Sequence, residues 1–348
     1  MRHWLIVWGV ILVWGMTFVN TRALLVDFSS FEILVLRFVL AFATLCAIER
    51  TMRPSIRREG GSEWIFAAMG FTGFLAYHFL ENCAIYYTNA SNVAILTSFA
   101  PVATAILARL LTKNRQASIG LFVGSIIAIG GVALVSLNGQ RALELRPIGD
   151  AMAICSMVSW AFYSLLIDIA NARGVSPVTA VRKALGWALL MVVPIAILGA
   201  TKFGSQMLEG SFAINLDRCV NARRFANPLN WANIATLGIL ASAACFVLWS
   251  VACKTLGVVK TSISLYIIPV VGVVFAMIAL GERVTFLEVA GGCVILIGMA
   301  IATRRCVDHK LQCINAEIYG IINAKRKGET QRGSVRHWSL ATSEKDKQ

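Results

Sequence analysis

Long apolar runs separated by short polar stretches fill most of this chain. They cover residues 4–26, 31–48, 64–87, 90–111, 118–137, 149–170, 178–200, 231–253, 258–280 and 285–303. Roughly 20 apolar residues match the hydrocarbon thickness of a bilayer. Backbone polar groups in lipid must be satisfied within their own segment, so each run is predicted to be a helix rather than an open strand. The first run is too long for a cleavable signal peptide, and no small-residue cleavage site follows Trp14-Gly15. The predicted fold class is an all-α polytopic membrane protein with ten transmembrane helices.

The pattern occurs twice. Residues 84–133 align without gaps on 252–301 at an offset of 168, which places Pro101 on Pro269, Ala108 on Ala276, Arg115 on Arg283, Gly124 on Gly292 and Gly130 on Gly298. Further back the offset is 146, pairing Trp14 with Trp160, Ser30 with Ser176 and Arg37 with Lys183. The offsets differ by 22 residues, which fall in the polar stretch 201–230 of the second half. Each half then holds five helices. Five is odd, so the halves insert with opposite orientation, as in the inverted repeats of many secondary transporters. The predicted units are a first repeat over 1–138, a second over 139–303, and a basic, flexible cytoplasmic tail over 304–348.

Charge refines this picture. Lysine and arginine number 32 against 18 acidic residues, a net charge of +14, yet only 14% of the chain is charged and 57% is hydrophobic. The cations lie in connecting loops and the tail rather than on one amphipathic face, which reads as positive-inside topology and not as a nucleic-acid footprint. Arg50, Arg53, Arg57, Arg58, Lys113, Arg115, Arg173, Lys254, Lys260, Arg304 and Arg305 fall on one side if the helices alternate. Both termini are therefore expected in the cytoplasm and the protein in the cell (inner) membrane. Arg141, Arg146, Lys202, Arg218, Arg223 and Arg224 oppose this assignment. Nine cysteines are scattered without CxxC or zinc spacing, and Cys219 stands alone in a predicted external loop. Asn89-Ala90-Ser91 matches a glycosylation acceptor by chance in a tight turn.

Trp14-Gly15-Met16-Thr17-Phe18, Arg37-Phe38, and the run 84–90 followed by Pro101 resemble the drug/metabolite transporter superfamily, EamA family. So do Pro269, Leu280-Gly281-Glu282 and the glycines 291, 292 and 298. The resemblance covers about residues 4–303. It implies ten helices in two inverted five-helix repeats, cytoplasmic termini, and carriage of small metabolites or drugs. One departure is visible: the acidic residue Glu282 has Asn114 as its counterpart in the first half.

Transport needs polar groups at membrane depth, where they are costly. Tyr77, His78, Glu81 and Asn82 provide them on the third helix, with Tyr77 and His78 on the face of Glu81 at helical spacing. Arg37, entering from the same side on the second helix, is expected at the depth of Glu81. An ion pair would lower the burial cost of both. Two readings of that pair stay open: a structural lock, or a protonatable coupling site at Glu81 tuned by Arg37 and His78. His78-x-x-Glu81 lacks the second half of a metal site, so no metal and no cofactor are predicted. Trp14, Trp160, Tyr163, Tyr266 and Trp249 suit an aromatic wall for an amphipathic solute, or packing and interfacial belts. Pro101 and Pro269 are candidate hinges or static kinks. The small residues of Gly120-x-x-x-Gly124 and Gly298-x-x-x-Ala302 suit packing within a repeat or a dimer interface. Asp168 and Lys183 are expected to pair or to snorkel near the cytoplasmic surface.

The predicted function is a secondary carrier that exports or exchanges a small organic metabolite or drug by alternating access, driven by protons or another solute gradient. Its partners are a small-molecule substrate and the lipid bilayer, with no nucleic acid, as a monomer or homodimer. No Walker-type loop occurs, so ATP hydrolysis is not expected, and the chain is not read as an enzyme. The alternatives are a membrane-embedded enzyme, a channel or a scaffold.

Overall fold

The computed structural model describes residues 2–51, 62–87, 90–111, 119–136, 146–199, 222–280 and 285–303. The expectations for Asn89, Asn114, Cys219, Glu282, most of the 201–230 loop and the 304–348 tail lie outside the described residues. The described residues are helical wherever they form regular structure, and eight of their helices are long and apolar enough to cross a membrane.

The helices are α1 (Arg2–Leu24), α2 (Ser30–Thr51), α3 (Glu63–Met69, Gly70–Ala76 and Tyr77–Tyr87 in unbroken succession) and α4 (Ala90–Thr97 and Ala100–Leu111). They continue with α5 (Ile119–Ser136), α6 (Pro147–Ala172) and α7 (Pro177–Gly199). A short 3-10 turn (Ala222–Phe225) precedes α8 (Pro228–Ala235, Thr236–Ala244 and Cys245–Leu256). Then come α9 (Val258–Ser262, Ile263–Ile267 and Ile268–Leu280) and α10 (Phe286–Thr303).

Local chemistry explains where several begin. Ser29 and Glu32 form a capping box at the start of α2: the Ser29 N–H donates to Glu32 at 2.8 Å and the Glu32 N–H to the Ser29 hydroxyl at 3.2 Å. Thr285 and Glu288 do the same for α10, at 2.7 and 3.3 Å. Proline opens α6, α7 and α8, where its missing N–H has no helical acceptor to lose. Between α8 and α9 the chain reverses through Gly257 at φ 89°, a conformation that disfavours a side chain.

Four helices depart from α geometry. The middle of α3 and of α8 is π-helical. In α4 the ladder stops at Ser98-Phe99, and in α9 a 3-10 segment intervenes. Pro101 and Pro269 each occupy the second position of the α segment that resumes after those interruptions, where a proline is tolerated.

The halves are interleaved. Helix α1 packs on α8 and α9, while α6 packs on α3 and α4; α2 lies against α8 and α7 against α3. Helices α5 and α10 meet backbone to backbone. A Cβ added to Gly124 would strike the Gly298 carbonyl oxygen at 2.5 Å, and one added to Gly131 would lie 2.7 Å from the Gly291 carbonyl. Each small-residue stripe is thus covered by the other within one chain, across the two halves.

Two polar clusters tie helix ends. At one, Arg182 pairs with Glu49, which also accepts from the Thr179 hydroxyl at 2.8 Å. Beside it Lys183 contacts Glu63 at 2.5 Å, and the Trp187 N–H donates to the same carboxylate at 3.3 Å. Of the two readings of Lys183, pairing with Asp168 is not formed: Glu63 at the mouth of α3 takes the ammonium. At the other cluster Arg224 pairs with Glu32 at 2.9 Å and stacks over Phe28 and Phe225, at 4.7 and 4.9 Å from the ring centroids. Asn230 joins them by donating to Asp27 at 2.7 Å. Arg224, read from sequence as a loop cation, is pinned between the first and second halves.

The hydrogen bond from Lys183, helped by Trp187, holds the Glu63 carboxyl below its ordinary value. That contribution exists above the ordinary carboxylate pKa and is lost as pH falls through the lowered folded value. Glu63 is 59% exposed, so solvent screens the pair. Lys183→Met is expected to cost about 1 kcal/mol or less at neutral pH. The difference from wild type should vanish in strong acid and shrink in high salt, as read by thermal melts. A large loss independent of salt would mean that Lys183 acts through its packing on Phe66.

Candidate functional site

The interleaving brings side chains from α1, α3, α6 and α8 to one place in the interior. The Trp14 ring lies 5.9 Å from Trp160, 5.5 Å from Phe246 and 5.2 Å from Trp249 by centroid. Trp160 in turn lies 5.2 Å from Tyr77 and 5.5 Å from Tyr163. Phe74 stacks on Phe246 at 4.6 Å. Trp249 and Tyr163 are fully buried and Trp160 nearly so. Each such ring pair adds about 0.5–1.5 kcal/mol beyond the area it buries, so the cluster is a structural core.

The cluster carries unused polar atoms. Among the described residues Trp160 Nε1, Trp249 Nε1, Tyr163 Oη and His78 Nε2 are buried without a hydrogen-bond partner. Most buried polar atoms in proteins are paired, and an unpaired one costs about 1–3 kcal/mol. Trp14 differs: its Nε1–H donates to the Ala241 carbonyl at 3.1 Å. Tyr266 is buried on α9 beside Ser125 of α5, and the two hydroxyls approach without completing good hydrogen-bond geometry.

One turn along α3 stands the ionisable group. The Tyr77 hydroxyl donates to Glu81 Oε1 at 3.0 Å, and His78 Nδ1 lies 3.9 Å from Glu81 Oε2. The His78 ring sits 5.6 Å from Phe38 and 4.7 Å from Tyr77. Asn82 follows on the same helix, half-buried. Arg37 is near enough to Glu81 to interact electrostatically, but the expected ion pair is not made at contact distance. Instead Arg37 Nε donates to the Ser242 hydroxyl of α8 at 2.8 Å. The reason lies in packing: α2 runs along the π segment of α8, which sets Ser242 beside the guanidinium.

Sequence reasoning thus named Tyr77, His78, Glu81, Trp14, Trp160 and Tyr163, and the fold gathers all of them. It weighed Trp249 for the wall, and the fold places it at the centre. It noted Phe246 only as the repeat counterpart of His78, and it missed Phe74 and Ser242. Phe246 and Trp249 occupy the positions of His78 and Glu81 shifted by 168, so the repeat itself was the available signal. No three His, Cys, Asp or Glu side chains come together among the described residues, and the six described cysteines are unbridged. A separate cleft of about 500 Å³ lies between α2 and α7, lined by Phe31, Val35, Val39, Leu189 and Val193, and is apolar apart from Glu32 and Arg224 at one end.

The sequence pattern of the EamA-like transporter family matches residues 3–137 and again 147–304. The chain belongs to this family. It is a multi-pass membrane protein of EamA type, and its similar proteins are transporters by name. It is 26% identical over 306 residues to an uncharacterized transporter of Archaeoglobus fulgidus, covering 84% of this chain and 94% of that one. Identity is 27% over 298 residues to a probable amino-acid metabolite efflux pump of Escherichia coli, covering 84% and 91%. It is 26% over 246 residues to a probable terminal-alkyne amino-acid exporter of Streptantibioticus cattleyicolor, covering 71% and 75%. A solved structure with 19% identity superposes with a TM-score of 0.65, over 88% of this chain and 98% of that one, which supports the same fold. Within the EamA-type frame, the ring cluster and Glu81 lie where the two matched segments interleave.

Proposed function

We propose that this EamA-type protein is a secondary carrier that exports or exchanges a small amphipathic metabolite by alternating access. In this reading α3 and α4 also cross the bilayer, giving ten spans in two five-helix repeats of opposite orientation. Both termini lie in the cytoplasm and the protein sits in the cell (inner) membrane. The observation that carries it is the position of the ring cluster. Trp14, Tyr77, Trp160 and Trp249 come from both halves, so relative motion of the halves opens or closes the space between them. Buried indole and phenol donors await a solute's acceptor groups, and Glu81 faces its cationic or proton-bearing part. Two relatives named for amino-acid efflux make zwitterionic amino-acid metabolites the first class to try. Pro101 and Pro269, at the restarts of α4 and α9, are placed to bend as the halves move.

Purified protein in liposomes, preloaded with amino acids or related metabolites, tests the reading. Saturable uptake with counterflow is the expected result. Ionic conductance without saturation would replace the carrier by a channel, and chemical conversion of the solute would replace it by an enzyme.

A further inference from the structure

The π segments of α3 and α8 stand at matching places. Gly70, which opens the first, and Gly238, in the second, are 168 residues apart, the offset of the internal repeat. Both glycines also allow close contact with a helix of the opposite half. A Cβ at 70 would come within 3.0 Å of the Ala188 nitrogen on α7, and one at 238 within 2.8 Å of Leu40 on α2.

A π segment closes its ladder from residue i to i+5. Where the ladder returns to i+4, two successive carbonyls compete for one N–H, and one is left under-satisfied. In α8 the Cys245 N–H bonds the Leu240 carbonyl, five residues back, so Ala241 carries the first carbonyl past the π ladder. By the same count from Ala76, that carbonyl in α3 belongs to Gly73, and Thr72 carries the last carbonyl of the π ladder. A side chain of the opposite half reaches the end of each π ladder, at the spare carbonyl in α8 and at the last laddered carbonyl in α3. The Trp14 Nε1–H of α1 donates to Ala241 at 3.1 Å, and the Ser159 hydroxyl of α6 donates to Thr72 at 2.9 Å. Trp160, the repeat counterpart of Trp14, is relieved of this duty by its neighbour Ser159, and its own N–H has no described partner.

We propose that α3 and α8 flex at these π segments, and that the Trp14–Ala241 and Ser159–Thr72 hydrogen bonds are latches that hold each segment in its present register. This rests on the alternating-access reading above. π-bulges are intrinsically poorer ladders than the α-helix around them, so they are where a helix yields at least cost. A cap from the opposite half couples the register of each bulge to the relative position of the halves. When the halves separate at α1–α8, Ala241 loses its donor; when they separate at α6–α3, Thr72 does. The two bulges are then released at different stages of a rocking motion.

Amide hydrogen exchange, read peptide by peptide on the full chain in lipid nanodiscs without solute, tests this. Trp14→Phe keeps an aromatic ring, though a smaller one, and removes the donor, and Trp160→Phe controls for the lost size. It is expected to speed exchange about ten-fold across 236–246 and to leave 70–77 unchanged. Ser159→Ala, which removes only the hydroxyl, is expected to do the reverse. Trp160→Phe removes an N–H that caps neither carbonyl and should leave both segments at wild-type exchange. The proposal is overturned if Trp14→Phe and Ser159→Ala exchange like wild type at the π segments, or if each loosens all helices alike. Selective loosening in a protein that carries no solute in liposomes would uphold the latches and overturn only the carrier reading.

Discussion

Gly298→Leu is expected to prevent stable folding, whereas Gly130→Ala is expected to be tolerated. The two glycines are counterparts under the repeat, and the sequence pattern marks Gly298, in Gly298-x-x-x-Ala302, without saying what it packs against. Their surroundings differ completely. A Cβ at 298 would lie 2.6 Å from the Gly124 carbonyl oxygen and 2.9 Å from the Ala128 Cα, both backbone atoms that cannot rotate away. A Cβ at 130 meets nothing within 4 Å. An isobutyl group at 298 must push α10 off α5 along the Gly124, Ala128 and Gly131 stripe, and the close backbone approach that membrane helices use in place of a hydrophobic drive is lost. Overpacking of this kind costs about 1–3 kcal/mol in an adjustable core. Against rigid backbone the cost is expected at or above the top of that range. Size-exclusion profiles and melts of the detergent-solubilised variants decide the matter. A Gly298→Leu protein that elutes and melts like wild type would mean that α5 and α10 are not in contact.

Glu81→Gln is expected to reduce pH-gradient-driven uptake to background while leaving solute counterflow and the melting temperature close to wild type. The amide keeps the size of the side chain and can still accept from the Tyr77 hydroxyl, which lies 3.0 Å from Glu81. What it loses is the exchangeable proton and the negative charge facing Arg37 and His78. A coupling group must change its charge between the two access states, and a glutamine cannot. Arg37→Gln is expected to behave differently. It removes a cation held by Ser242 rather than by the carboxylate, so Glu81 would be left with less compensation and a structural loss is expected alongside any loss of transport. Undiminished pH-driven flux in Glu81→Gln would make that residue a structural partner of Tyr77. Lost counterflow together with a lowered melt would do the same.

The helical segments were legible because burial in lipid is a property of local composition. A run such as 119–136 has too few polar groups to be anything but a buried helix. The internal repeat was legible because it needs only alignment of the chain with itself. The motifs that resemble the EamA family carried the class. Tyr77, His78 and Glu81 were legible as a group because three- and four-residue spacing places side chains on one helix face.

What sequence could not supply was which faces meet. Trp14 and Trp160 are 146 residues apart and lie 5.9 Å apart by centroid only because α1 and α6 each pack into the opposite half. Arg37 was expected at Glu81 because depth along two helices is countable. Rotation about the helix axis is not, and it turned the guanidinium to Ser242. Lys183 went to Glu63 rather than Asp168 for the same reason. The π segments were not read from the sequence and show only in the ladders of the folded helices. The sequence by itself determined the helices, their duplication and the residues able to do chemistry, all of which follow from short-range patterns of polarity. Only the tertiary structure decided the partners of Arg37 and Lys183, the backbone that Gly298 packs against, and the carbonyls that Trp14 and Ser159 reach. Those depend on contacts between residues that are distant along the chain, which no local pattern encodes.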